Sequence, residues 1–92
     1  MAVAKRTDAN QTKVVTALRR VGCSVAILSA VGKGVPDILV GKGGKNYLME
    51  IKDGEKIPSK RKLTPDEKEF HESWRGHVCI VESIDDALKI VN

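Results

Sequence analysis

Two short runs, 37–41 and 46–52, flank Gly41-Lys42-Gly43-Gly44-Lys45, a connector short and glycine-rich enough to reverse the chain. An antiparallel hairpin is expected. Both runs carry charge where a strand would be apolar: Pro36-Asp37 opens the first, and Glu50-Ile51-Lys52 closes the second. Residues two apart on a strand share a face. Glu50 and Lys52 therefore stand beside Leu48, while Tyr47, Met49 and Ile51 take the other face. Asp37 arrives from the neighbouring strand.

That arrangement has a chemical cost. A buried carboxylate without a partner is unfavourable, and two close carboxylates repel unless a cation lies between them. A hard divalent ion such as Mg²⁺ answers both difficulties, because it prefers one or two carboxylates together with water and phosphate oxygens. Asp37 and Glu50 are the candidate ligands, with the main-chain carbonyl of Ile51 as a third. Such an ion polarises a phosphate and acidifies a bound water. Lys52 stands where it can orient that water or balance charge in the transition state. An isolated Glu-x-Lys on a strand is more often a solvated edge or a salt bridge. The Asp after a glycine-rich loop, entering a hairpin whose return strand carries Glu-x-Lys, is far more specific and reads as metal-dependent phosphodiester hydrolysis.

The rest of the chain frames that hairpin. Val14, Leu18 and Val21 fall at helical spacing within 8–21, with Thr7 or Asp8 as cap and Gly22 as stop. Residues 24–29 read as a strand and 31–35 as a flexible loop. Residues 53–62 are polar and basic and read as a loop. Thr64-Pro65-Asp66-Glu67 has the form of a helix start, with a cap, a proline at the first turn and a reciprocating Glu. Phe70 and Trp74 would give that helix its buried stripe. Residues 77–82 read as a fourth strand. Ser83 and Asp86 resemble a second capping box before an amphipathic helix carrying Ile84, Ala87, Leu88 and Val91. The order is α-β-β-β-α-β-α: three strands as an antiparallel meander, the fourth parallel to the third, both sheet faces covered.

Composition narrows the partners. The 92 residues are expected to make one domain, 1–92, with a thin core. A net charge of +4 favours an anionic partner. One each of Phe, Trp and Tyr is too few for a platform that stacks single strands. Cys23 and Cys79 lie in apolar runs without a Cys-x-x-Cys pair, as buried thiols in a reducing compartment would. No apolar run is long enough for a membrane span, and the first residues lack the apolar core of a signal peptide. A cytoplasmic protein is expected.

The run Gly34-Val35-Pro36-Asp37-Ile38-Leu39-Val40, followed by Tyr47-Leu48-Met49-Glu50-Ile51-Lys52, resembles the PD-(D/E)xK nuclease superfamily and, within it, the virus-type replication-repair nuclease (VRR-NUC) domains. Leu63 to Phe70 and Val81 to Leu88 extend the likeness across most of the chain. The resemblance implies a restriction-endonuclease-like αβββαβ core with a mixed sheet, plus a C-terminal helix. It implies Mg²⁺ or Mn²⁺ dependence, DNA as substrate, ligation by Asp37 and Glu50, and Lys52 as the catalytic lysine. Small stand-alone members, often phage-encoded, are similar to homodimeric enzymes that resolve four-way (Holliday) junctions. Two departures stand out. Family members usually carry Gln near the position of Glu67, and many carry an acid in the first helix, where Asp8 is the candidate fourth acid.

Lys56, Lys60, Arg61 and Lys62 follow the catalytic strand, and Lys33 lies in the glycine loop before Asp37. These five are candidate phosphate contacts, or else ordinary solvated cations. His71 and His77 read as a helix surface and a strand start rather than as ligands. A non-catalytic DNA-binding module that kept the fold is the rival function; a protein-interaction domain with a fortuitous motif is a third.

Overall fold

The glycine connector does reverse the chain. The computed structural model describes residues 9–92, so Thr7 and Asp8 lie outside the described residues. Strand β2 (Ile38–Lys42) pairs antiparallel with β3 (Lys45–Ile51), from Ile38↔Met49 to Lys42↔Lys45. Gly43 and Gly44, at φ 60° and 80°, make the turn in a backbone region that side-chain-bearing residues disfavour. Strand β1 (Ser24–Ile27) pairs antiparallel with the outer side of β2, and β4 (Val78–Val81) pairs parallel with β3. The sheet order is β1-β2-β3-β4, mixed as expected.

Helices α1 (Ala9–Arg20) and α3 (Ile84–Val91) cover one face of the sheet. Val14, Val15 and Leu18 from α1, and Ala87 and Val91 from α3, meet Ile38, Val40, Met49, Ile51 and Val81 there. These sheet residues alternate along their strands, so the period-two pattern places every one inward. Because α1 ends at Arg20, Val21 falls past its last turn and is exposed, although the spacing put it on the buried stripe.

Helix α2 (Pro65–Ser73) connects β3 to β4, as a parallel neighbour requires. Its start is a complete capping box: Thr64 accepts from the Glu67 backbone N–H, and the Glu67 side chain accepts from Thr64 N–H. The box at α3 is only half formed. Ser83 Oγ accepts from Asp86 N–H, but the Asp86 carboxylate turns to Glu82 N–H. Residues 53–63 carry one short 3₁₀ turn, Pro58–Lys60.

The second face departs from expectation. It is not fully covered: α2 buries none of its residues, Ile80 is 43% exposed, and Ala26 is open. A nine-residue helix is too short to span four strands. Trp74 is not core. It is the residue that ends α2, with extended backbone, stacked on Phe70 at 5.0 Å between ring centroids and 48% exposed. Of the two thiols, Cys23 is buried and Cys79 half-buried; both are free.

Gly34 couples the loop before β2 to α2. Its φ is 80°, and a Cβ at this position would overlap the Asp66 main-chain carbonyl at the start of α2. Gly32, two residues earlier at φ 78°, faces open space. Gly34→Ala should therefore cost at least about 2 kcal/mol in chemical denaturation, and Gly32→Ala only about 1 kcal/mol. Equal losses would show that the loop and α2 are not in contact.

Candidate active site

Asp37 sits just before β2. The β2–β3 ladder ends at Ile38↔Met49, and the next residue of β3 with its backbone turned to β2 is Ile51. Its N–H has no strand partner left, and Asp37 Oδ2 accepts it at 2.7 Å. The Asp37 main-chain carbonyl accepts from Leu28 N–H at 2.7 Å, which ties the same residue to the end of β1. Asp37 is thus held at both ends. A strand residue presents its N–H and C=O to the same edge, so the carbonyl of Ile51 faces the side from which Asp37 approaches.

Glu50 lies on the half-open sheet face, 3% exposed, and its Oε1 has no hydrogen-bond donor. Burial pushes its carboxyl up to about 9; the hydrogen bond and negative charge of Asp37 add to this, then the charge of Glu67, with Lys52 opposing. Glu50 therefore favours its protonated form at neutral pH. The third member, Lys52, donates from Nζ to Glu67 Oε1 at 2.8 Å, with 13% and 18% of the two side chains exposed. Burial pushes the Glu67 carboxyl up, but the hydrogen bonds from Lys52 and from Thr64 N–H outweigh it and hold Glu67 below its ordinary value. Asn10, from α1, donates to the main-chain carbonyls of Lys52 at 2.7 Å and Glu82 at 3.3 Å, closing the ends of β3 and β4.

Asp37, Glu50 and Lys52 are thus brought together, and the donor set suits a divalent cation. The Asp37 carboxylate stands against Glu50, one Glu50 oxygen is orphaned, and a main-chain carbonyl faces the same edge. A cation in place of the proton would satisfy all three. Among the described residues no three His, Cys, Asp or Glu side chains are grouped to hold a metal. An ion here would take two carboxylates, and its remaining ligands would be main-chain and solvent oxygens.

The five cations expected to meet phosphate divide. Lys33, Lys56, Lys60 and Lys62 are exposed. Arg61 is engaged within the fold: its Nε donates to the Lys56 carbonyl at 2.8 Å and its Nη1 pairs with Glu82 at 3.0 Å. Lys33 has φ 57°, strained for a residue with a side chain.

Two residues that sequence reasoning set aside belong to this cluster. Glu67 appeared as the capping Glu and as a departure from Gln, yet it also holds Lys52. His71 read as helix surface, but its Nε2 is buried without a partner, and burial lowers its pKa while Glu67 opposes. Their shared signal was the four-residue spacing on α2, which puts both on one side of the helix. Asp8 is outside the described residues, and α1 itself contains no acid.

This fold and site define a restriction-endonuclease-like α/β core carrying a PD-(D/E)xK arrangement. No protein-family model matches the chain, and no curated protein matches it. A solved structure described as a VRR_NUC domain does, with 26% identity over 91% of this chain and 96% of its own, at a TM-score of 0.65. That likeness supports a relationship to VRR-NUC domains and a nuclease-like domain.

The raised Glu50 carboxyl has a sign that can be tested. Below its unfolded value of 4.5 the group is protonated in both states and contributes nothing. Between 4.5 and about 9 the unfolded chain releases the proton and the fold keeps it, so stability falls as pH rises. Glu50→Gln should flatten that fall in metal-free protein and raise stability at pH 8 by on the order of 1–3 kcal/mol, measured by urea denaturation. An unchanged slope from pH 5 to 9 would exclude a retained proton at Glu50.

Proposed function

We propose that this chain is an Mg²⁺-dependent endonuclease that hydrolyses phosphodiester bonds in DNA. The reading rests on one observation above the others: the buried Glu50 carboxyl stands against Asp37 and beside a lysine, with one of its oxygens left unsatisfied. A structural role would be better served by an apolar pair, since buried charge without compensation is costly. Asp37, Glu50 and the Ile51 carbonyl would hold the ion, and Mn²⁺ would substitute. When bound, it supplies Lewis-acid polarisation of the phosphate and a more acidic water. The protein's own parts are simple. Ile51 N–H fixes the Asp37 carboxylate. Burial of Glu50 keeps bulk water away from it. Lys52 presents a cation on the same sheet face, where it can hold the attacking water or meet negative charge developing on the phosphate.

Lys33, Lys56, Lys60 and Lys62 are the candidate phosphate contacts, with Arg61 bracing the loop that carries three of them. A four-way junction is the proposed substrate, supported by the resemblance to small junction-resolving members of the family. One chain offers one such site, so symmetrical cuts call for a two-fold dimer, which sedimentation velocity would detect.

Purified protein should cut labelled four-way junctions in Mg²⁺. Asp37→Asn and Lys52→Ala should each lower the rate by about 100-fold or more while melting cooperatively. The rival, a DNA-binding module that kept the fold, is favoured if all three proteins bind junctions equally and none cuts flaps, duplexes or junctions.

A further inference from the structure

Helix α2 does more than connect two strands, because a single oxygen joins its first turn to the candidate active site. Glu67 Oε1 accepts from Thr64 N–H at 2.9 Å, which completes the capping box, and from Lys52 Nζ at 2.8 Å. A capping Glu on a solvated helix needs only the first of these bonds. Here the second donor comes from β3, across the interval between sheet and helix. Both side chains of the pair are mostly buried. The Glu67 charge also reaches Glu50, where it favours retention of the proton.

We infer that Glu67 is the positioning residue for Lys52, and that it fixes the lysine's reach by tying its ammonium to the N-terminus of α2. This rests on the nuclease reading above. A lysine side chain has four rotatable bonds and loses rotamer entropy when held in one arrangement. Little else on the half-open face holds it: Leu48 is apolar, and Glu50 Oε1 has no hydrogen-bond donor. Glu67 supplies the anionic acceptor. The helix start in turn fixes Glu67 through two hydrogen bonds, from Thr64 N–H to its carboxylate and from its own N–H to Thr64 Oγ1. The loop approach at Gly34 presses on the same first turn, at Asp66 and Glu67. The position of the ammonium is thereby referred to the loop that leads into Asp37. The same first turn thus bears on both Asp37 and Lys52.

Three variants separate positioning from mere support. Glu67→Gln keeps an oxygen that can serve both the cap and the ammonium. Glu67→Ala removes both bonds. Thr64→Ala weakens the cap and leaves the carboxylate in place. Two readouts are needed: kcat and KM for junction cleavage in saturating Mg²⁺, and the order of the Lys52 ε-methylene group by carbon-13 relaxation in metal-free protein.

Glu67→Ala should lower kcat by about tenfold or more with KM within about twofold, and Lys52 should become mobile. Glu67→Gln should recover to within about threefold of the parent in kcat. Thr64→Ala should melt earlier and lower kcat by less than Glu67→Ala does, because the carboxylate and its bond to Lys52 remain. If Glu67→Ala cuts like the parent while Lys52→Ala is inactive, Lys52 needs no positioning by Glu67, and the inference fails with the nuclease reading intact. If the parent cuts no DNA in Mg²⁺, the nuclease reading fails. The relaxation measurement then decides the tether alone: unchanged Lys52 order in Glu67→Ala overturns it, and lost order upholds it.

Discussion

Glu50 in its place on β3 is the constraint to which the surrounding structure answers. The strand pattern turns it to the same face as Leu48, and the packing removes it from water, so its charge must be neutralised by a proton, a cation or an ion pair. Lys52, the nearest ammonium along the strand, does not serve it, because that group is taken by Glu67. Asp37 is a second acid and aggravates the problem rather than relieving it. The result is a Glu50 carboxyl that holds its proton well above the range where carboxylates normally release it. Sites with this property concentrate where chemistry is done. A protein under selection for stability alone would be more stable with Gln or Leu at 50.

The two faces of the sheet divide the work. The face under α1 and α3 carries the apolar residues that hold the chain together: Val14, Leu18, Ile38, Val40, Met49 and Val81 are all sealed from solvent. The other face carries Asp37, Glu50 and Lys52 and is covered only in part by α2. A short helix that buries none of its residues contributes little hydrophobic stabilisation. It is instead held by polar contacts at its start. The helix is thus positioned by the same bonds that organise the site, and the face remains open enough for a large substrate to approach.

Much of this was legible because it is local. Gly43-Gly44 between two alternating runs specifies a hairpin, and Thr64-Pro65-Asp66-Glu67 specifies a helix start, since both depend on backbone chemistry within four residues. The pairing of Asp37 with Glu50 followed from the hairpin plus strand alternation. Trp74 was misjudged because helical spacing to Phe70 says nothing about where the helix stops, and α2 stops one residue before it. Exposure of Ile80 and Ala26 was equally hidden, since an apolar residue does not announce what covers it. The tie from Glu67 to Lys52 spans fifteen residues and depends on how α2 lies across the sheet, which no periodicity encodes.

Charge on the molecular surface is also distributed unevenly, and Arg61 shows why the excess of cations cannot be read by counting. A cleft of about 520 Å³ beside the site is lined by Asp53, Glu55, Glu82, Asp85 and Asp86, with Lys13 as its one cationic lining residue. A concave surface of one sign repels a polyanion. Arg61 pairs with Glu82 at the margin of this cleft and so offsets part of its charge instead of adding to the basic loop. The candidate phosphate contacts that remain exposed, Lys33, Lys56, Lys60 and Lys62, are all lysines, which meet phosphate as mobile point charges rather than as planar forks. Such a surface favours contact with a sugar-phosphate backbone over the reading of base edges. Under the proposed nuclease reading, discrimination among substrates would then come from the shape of the nucleic acid and not from its sequence.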